Sequence, residues 1–326
     1  MTTLRLATPP PPATSTMNAT FSRLLLAIDF GSASLAAARW GTTHIAPDAD
    51  AVLMHVIPFA DRLPHGDATT TSDDESFRRM TPALVGGLGG FGATLSVASL
   101  RSVVRAGRPS ECLAAVAKDA GASMLVLGRR ADANRIGVGE PNVIERVARR
   151  TSASVLVVPE GTTHGPDHIV AAVDESRFAP RVLDVASRLA RMHEVPLTVL
   201  HVLSPVEGAY ERVIRSAKHL LTRAGGPRLE ATARRVMPMS LAPSTTRWLA
   251  QLGRAHNVIG RDSTEIAMGD PAREIVRTAM QHESPLVVVG LRGADDAPPG
   301  SIGSVTRELL TRGPMPVLAV DGYPTN

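Results

Sequence analysis

Cysteine is nearly absent from this chain of 326 residues, since Cys112 is the only one. A single cysteine excludes a disulfide framework and a thiolate metal site, and it indicates a reducing compartment, so we expect a cytoplasmic protein. Apolar runs are also short, because none approaches the roughly 20 residues that a membrane-spanning helix needs. We therefore expect no membrane partner.

Aromatic residues make up 3% of the chain, and lysine occurs only as Lys118 and Lys218. The net charge of +4 comes from arginines that are spread among 31 acidic residues. Without a basic stripe interleaved with aromatic rings, this charge indicates a solvated surface and no nucleic-acid partner. A core poor in aromatics must consist of Val, Leu, Ile and Ala, which suits a parallel sheet covered by helices.

The most informative segment is a glycine-bearing loop between a predicted strand and a predicted helix. The Val-rich run 285–289 predicts a buried strand, and Gly290, Gly293, Gly303 and Ser304 follow it. Glycines let a backbone approach an anion, and a helix N-terminus offers unpaired N–H groups. No lysine completes a Walker loop. From the residues alone, the alternative that the first two glycines make only a tight turn stays open.

The chain also contains two copies of one strand–helix plan. Three landmarks recur at a constant offset of 162 residues, namely Gly107 and Gly269, Gly128 and Gly290, and Val155 and Val317. Strands that alternate with helices predict an α/β fold with two tandem Rossmann-like domains, each a five-stranded parallel sheet flanked by helices. The predicted parts are a disordered segment over 1–20, a first domain over 21–160, a linker over 161–166 and a second domain over 167–323.

Three residues of the second half end predicted strands. Asp174 ends the first strand, Val202 the second and Gly290 the fourth. In doubly wound sheets, ligands bind beyond the carboxyl ends of the strands. We therefore expect these three residues to meet at one edge of the sheet, beside the glycine-bearing loop.

Taken together, these residues resemble the universal stress protein family, over residues of about 22–160 and 167–322. The most specific element is the nucleotide signature Gly-x2-Gly-x9-Gly-Ser, formed by Gly290, Gly293, Gly303 and Ser304. The resemblance implies an adenine nucleotide alpha hydrolase-like fold and ATP, with Mg²⁺, at the carboxyl edge of the second domain. It implies that the adenosine lies near Asp174 and Val202, the ribose and phosphates near Gly290, Arg292 and Gly293, and the phosphates against Gly303, Ser304 and Val305.

The first half departs from this signature. The positions that match Gly293, Gly303 and Ser304 hold Ala131, Pro141 and Asn142. Ala131 adds a Cβ where the backbone approaches phosphate, and Pro141 removes an N–H donor. We therefore predict that the first domain binds ATP weakly or not at all.

The resemblance implies a nucleotide-dependent regulator of the stress response that an unknown protein partner reads, with at most weak ATPase activity. One alternative is an enzyme that uses the same site for phosphoryl or adenylyl transfer, with Arg292 as the candidate catalytic cation. Another is a structural pseudo-dimer without nucleotide, in which residues 155–158 pair with 317–320 inside one chain. Further dimerisation between chains stays open.

Other polar and ionisable groups predict no metal site. His55 and His201 are expected to be buried with one hydrogen bond each, and Asp295–Asp296 to be a solvated loop pair. Cys112 is expected to be a buried, inert thiol. Residues 61–78 predict a loop, and Ser110 is the predicted N-cap of a helix over 109–120.

Overall fold

In the computed structural model of the chain, ten strands lie side by side in one sheet among the residues that the structure describes. The structure describes residues 21–58, 70–131, 142–203, 247–249, 251–253, 262–292 and 301–321, without the side chains of 70–79. The predicted N-terminal segment 1–20 lies outside these residues. Short Val- and Leu-rich runs form the strands, because a strand covered by helices on both faces is apolar at consecutive positions.

The first half alternates strands with helices. Its elements are β1 (Arg23–Ala27), α1 (Ser32–His44), β2 (Asp50–Ile57), α2 (Thr70–Gly92), β3 (Ser99–Ala106), α3 (Pro109–Asp119), β4 (Met124–Arg129), α4 (Val143–Arg150) and β5 (Ser154–Pro159).

The second half repeats the plan. Its described elements are β6 (His168–Ala172), α5 (Ala179–His193), β7 (Leu197–Leu203), β8 (Ser263–Met268), α6 (Pro271–Ala279), β9 (Pro285–Gly290), α7 (Ser304–Arg312) and β10 (Val317–Val320). Residues 247–249 and 251–253 are also helical.

The strand order is β3-β2-β1-β4-β5-β10-β9-β6-β7-β8. Neighbours within each half are parallel, whereas β5 and β10 pair antiparallel, with Leu156 opposite Leu318. Each half is thus a five-stranded parallel sheet, and the fold class predicted from the sequence is confirmed. Because the two half-sheets run in opposite directions, the carboxyl edge of one lies beside the amino edge of the other.

Two apolar layers cover the sheet, one on each face. Alternate residues of a strand point to opposite faces, so Leu24 and Leu26 enter one layer and Leu25 enters the other. Helices α1 and α5 pack on the first face, and α3, α4, α6 and α7 pack on the second. Both layers continue across the β5–β10 pair, so the two halves share their cores.

Two local predictions were wrong. Helix α2 begins at Thr70, so residues 70–78 of the predicted loop are helical, while 61–69 lie outside the described residues. Arg108, in an extended conformation, is the N-cap of α3, and Ser110 is buried inside the helix. Pro109 explains the earlier start, because proline is favoured at the first helical position.

Candidate functional site

A cavity of about 310 Å³ opens at the carboxyl edge of the second half-sheet. This is where a doubly wound sheet presents its ligand site, and the volume falls in the range of small-molecule sites. The cavity brings together most of the predicted site residues, which are Asp174, Val202, Gly290, Arg292, Gly303, Ser304 and Val305. The remaining one, Gly293, lies outside the described residues.

Apolar side chains form one wall of the cavity. Phe178 and Val182 come from the start of α5, and Ile275 comes from α6 on the opposite face of the sheet. Leu200 and Val289 contribute from the strands. Such a wall suits a flat, weakly polar group, because it buries apolar surface without leaving polar groups unpaired.

Asp174 supplies a carboxylate two residues after the end of β6. The backbone N–H of Ser176 donates to Asp174 Oδ1 over 3.2 Å, and the Ser176 hydroxyl donates to the same oxygen. These two contacts fix the orientation of the carboxylate at the mouth of the cavity. A carboxylate accepts hydrogen bonds at both oxygens, so this group can receive a hydroxyl or amine donor of a ligand.

The N-terminus of α7 forms the opposite end of the cavity. Gly303 is its N-cap and carries no side chain that could accept the first N–H groups of the helix. Thr306 Oγ1 donates to the carbonyl of Gly290 over 2.7 Å and thereby holds α7 against the end of β9. The backbone N–H groups and the positive end of the helix dipole therefore face the cavity, an arrangement that favours an anion.

Arg292 lines the cavity, but its guanidinium is held at the boundary between the two halves. Nη2 donates to the carbonyl of Thr151 in the first half over 2.9 Å, and Nη1 donates to the carbonyl of Ser301 over 2.8 Å. Nε lies 3.8 Å from Asp321 Oδ1. These contacts make Arg292 a link between domains, a role that its sequence position does not reveal.

At the carboxyl edge of the first half-sheet, the space that matches the cavity is filled at Gly128 by the backbone of Ala33 and Ser34. A Cβ on Gly128 would lie 2.3 Å from the carbonyl oxygen of Ala33 and 2.5 Å from the nitrogen of Ser34. A Cβ on Gly290 would meet nothing nearer than the carbonyl oxygen of Arg292, at 3.2 Å. The first turn of α1 thus rests on the end of β4, where the second half has open space.

Asp29, the counterpart of Asp174, is occupied by its own loop. The N–H of Gly31 and the hydroxyl of Ser34 donate to Asp29 Oδ1 over 2.9 and 2.5 Å. Burial acts to raise the pKa of Asp29, but these hydrogen bonds outweigh it and leave the pKa below its ordinary value. The ionised carboxylate is therefore part of the closed loop.

The carboxylate of Glu160 lies against the backbone of Ala131 in the first half. Ala131, which matches Gly293, donates its backbone N–H to Glu160 Oε2 over 3.2 Å, and the hydroxyl of Ser32 donates to Oε1. The hydrogen bond from Ser32, followed by that from Ala131, lowers the pKa of Glu160. The sequence analysis did not identify Glu160 as a site residue. The signal that could have found it is the internal repeat, because the matching position of the second copy, 162 residues later, is Gly322 and carries no carboxylate.

The other candidate residues have structural contacts. His55 Nδ1 lies 2.7 Å from the carbonyl of Ile28, and His201 Nδ1 lies 2.8 Å from that of Val173. Among the described residues, no group of three or more His, Cys, Asp or Glu could hold a metal ion. Cys112 is half-buried, and burial raises the pKa of its thiol, which lowers its reactivity.

Asp295 and Asp296 lie outside the described residues. Within the described part of the chain, no helix is both long enough and apolar enough to span a bilayer.

Comparison with known proteins gives one consistent family. The model of the universal stress protein family matches residues 20–159 and again residues 166–321. A universal stress protein of Thermus aquaticus, described by its position in the QAH/OAS sulfhydrylase 3′ region, is 28% identical over 157 residues, which is 47% of this chain and 96% of the relative.

One of the solved structures to which this chain is similar shows the same fold. A universal stress protein from Archaeoglobus fulgidus DSM 4304 superposes with a TM-score of 0.57 at 16% identity, over 93% of this chain and 99% of the other. A universal stress protein solved in complex with cAMP is 18% identical over 43% of this chain and 99% of its own length, with a TM-score of 0.32.

Proposed function

The chain belongs to the universal stress protein family, and from this premise we propose that it binds ATP, with Mg²⁺, in the cavity of the second domain. The protein acts as a nucleotide-dependent regulator in the stress response, and an unidentified protein partner reads the bound state. The proposal is carried by one observation, namely a single cavity that joins an apolar wall, the Asp174 carboxylate and the N-terminus of α7.

Each part of this cavity suits one part of ATP. The apolar wall around Phe178 and Ile275 accepts the adenine ring, and Asp174 accepts hydrogen bonds from a ribose hydroxyl or an amine. The N–H groups at Ser304 and Val305 hold phosphate oxygens. Binding shifts the protein toward one conformation only as far as ATP favours that conformation over others.

The described cavity favours binding over catalysis. Asp174 and Arg292 are the only ionisable side chains among its described lining residues. The guanidinium of Arg292 already donates to two carbonyl oxygens, so it is poorly placed to stabilise a transferring phosphoryl group. We therefore expect ATP turnover to be weak at most, and phosphoryl or adenylyl transfer remains the enzymatic alternative.

Calorimetric titration with Mg·ATP tests the proposal. We expect one site per intact chain. The Gly303→Pro variant gives this position the proline that the first half carries at Pro141. It removes the Gly303 N–H that donates to the Leu291 carbonyl over 3.4 Å at the start of α7, so it should weaken binding at least tenfold, or about 1.4 kcal/mol.

A matched pair of carboxylate variants locates the site. Asp174→Asn should weaken ATP binding, whereas Asp29→Asn, at the closed edge of the first half, should leave it unchanged. Two sites of similar affinity, or equal effects of the two variants, would contradict the proposal. Steady hydrolysis that Arg292→Ala abolishes without loss of binding would favour the enzyme instead.

A structural pseudo-dimer without nucleotide is the second candidate, and the antiparallel pairing of β5 with β10 favours it. In that case the titration shows no ATP binding, while the chain remains folded.

A further inference from the structure

A second cavity, of about 330 Å³, lies where the amino edge of the first half-sheet meets the carboxyl edge of the second. Its floor is formed by small side chains just before β4 and β5, including Ala122 and Ala153. Its walls carry the cationic side chains of Lys118, Arg149, Arg150 and Arg292. The described lining residues include no carboxylate.

The carboxylates that pair with these cations lie outside the cavity lining. Arg149 is 2.8 Å from Glu145, and Arg150 is 3.7 Å from Glu111. Both arginines are nearly half exposed, and ion pairs of this kind hold their partners weakly. The two guanidinium groups are therefore able to turn toward an anion that enters the cavity.

The helix dipoles of α3 and α4 account for only part of the positive charge around this cavity. Lys118, Arg149 and Arg150 lie in the last turns of their helices, where basic residues are favoured by the helix dipole. However, the matching positions in the second copy are Met280, Thr311 and Arg312. The same helix ends thus form in the second copy with one cation, Arg312, in place of three.

Arg292 adds a cation that helix ends do not account for. It comes from the other half of the chain, its side chain is only 18% exposed, and it is held in place by the carbonyl of Thr151. Arg292 also lines the first cavity, the one at the N-terminus of α7. A fixed guanidinium beside partly exposed basic side chains is an arrangement that suits phosphate groups.

We propose that this boundary cavity is a second ligand site, which binds a small phosphate-bearing anion between the two halves. Lys118, Arg149 and Arg150 supply direct contacts, and Arg292 supplies a preorganised positive charge. The proposal does not depend on ATP binding, because the two cavities share only Arg292 among their described lining residues.

Titration of the intact chain with inorganic pyrophosphate tests this site. The measurement is made in the Gly303→Pro background, where the cavity at α7 is impaired. We expect saturable binding of one pyrophosphate that weakens several-fold between 50 and 300 mM KCl, because salt screens partly exposed charges. The double variant Arg149→Gln/Arg150→Gln should weaken it at least tenfold.

Arg277→Gln is the matched control, because Arg277 is an exposed helical arginine paired with Glu274 at 2.7 Å, away from both cavities. It should leave pyrophosphate binding unchanged. Loss of binding in Gly303→Pro alone, or equal effects of the double variant and the control, would overturn the proposal. Circular dichroism on each variant separates loss of binding from loss of fold. Failure of ATP binding in the wild type would overturn the proposed function and leave this result intact.

Discussion

Gly128 and Gly290 hold the same place in two copies of one domain, but a side chain would meet backbone atoms much closer at Gly128 than at Gly290. Backbone atoms of Ala33 and Ser34 lie within 2.5 Å of a Cβ built on Gly128. Backbone cannot move aside as a flexible side chain can, so the glycine is required there for close approach of helix and strand.

We expect Gly128→Ala to destabilise the protein by about 2 kcal/mol or more, because the added methyl group overpacks a rigid contact. Chemical unfolding in urea measures the change. Gly89→Ala, on the exposed face of α2 with nothing within 4 Å of the added Cβ, is the control and should stabilise by up to about 1 kcal/mol. Equal stability of the two variants would refute the close contact.

His168 links stability to pH. Its ring stacks on that of His282 with centroids 3.6 Å apart, and its Nε2 lies 2.8 Å from Thr198 Oγ1. Burial, and then the charge of His282, lowers the pKa of His168 to about 4, against the opposing effect of Asp167 and Asp262. The folded state therefore resists a proton that the unfolded chain accepts near pH 6.5.

Because the unfolded state binds more protons, this residue makes stability fall as the pH drops from about 6.5 toward 4, by about 2 kcal/mol. Urea unfolding at pH 7.5 and pH 4.5 measures the loss. It should be clearly smaller in His168→Asn than in the wild type, and His164→Asn, at an exposed histidine, should behave as the wild type does. The same loss in all three proteins would show that His168 is not responsible.

At the scale of elements, the open and closed edges differ in where the helix after the first strand of each half begins. Helix α1 begins three residues after Asp29, whereas α5 begins five residues after Asp174. The shorter connection draws the first turn of α1 onto β4, and the longer one leaves room for the cavity. The sequence showed the signature residues but not this spacing effect, because helix starts depend on packing as well as on local residues.

Helix α7 is attached to β9 by a buried hydroxyl. Thr306→Val keeps the side-chain shape but removes the donor to the Gly290 carbonyl, so we expect a loss of about 1–2 kcal/mol. Thr311→Val is the control on the same helix, because that hydroxyl bonds only carbonyls of its own helix, those of Arg307 and Glu308. It should change stability by less than about 0.5 kcal/mol. Urea unfolding of both variants checks the difference.

The elements that the sequence predicts best are those that a single local pattern of residues determines. Val155–Val158 and Val317–Val320 are consecutive apolar residues and form strands because both faces of the sheet are covered. Residues 70–78 are polar, and α2 forms there in spite of this. The contacts of Arg292 with Thr151 and of Glu160 with Ser32 and Ala131 join distant parts of the chain, so no local pattern could have revealed them.

At the scale of the molecule, the antiparallel pair β5–β10 turns two domains into one sheet with continuous cores. Arginines support this joint from both sides, since Arg129 donates to the carbonyl of Gly313 and Arg292 to that of Thr151. Gly313 and Thr151 are the C-caps of matching helices, so the two acceptors are related by the internal repeat. The two donors are not, because the position that matches Arg129 is Leu291.

We therefore expect the two halves to unfold together. The chain has two tryptophans, Trp40 in the first half and Trp248 in the second, so Trp40→Phe and Trp248→Phe each leave one fluorescent reporter. In each variant, urea unfolding followed by tryptophan fluorescence should coincide with unfolding followed by circular dichroism. A fluorescence transition that precedes the loss of secondary structure in either variant would show that the halves unfold separately.

Because the two copies are joined in one chain, a mutation can change one copy and leave the other unchanged. In a dimer of identical chains, one gene encodes both edges, so a glycine lost from one is lost from the other. Here separate codons encode Gly128 and Gly290, so each edge can change in sequence without the other. The pairing of β5 with β10 still holds the two halves together. A mutation can thus alter the closed first edge without altering the open second one, and a single gene encodes both.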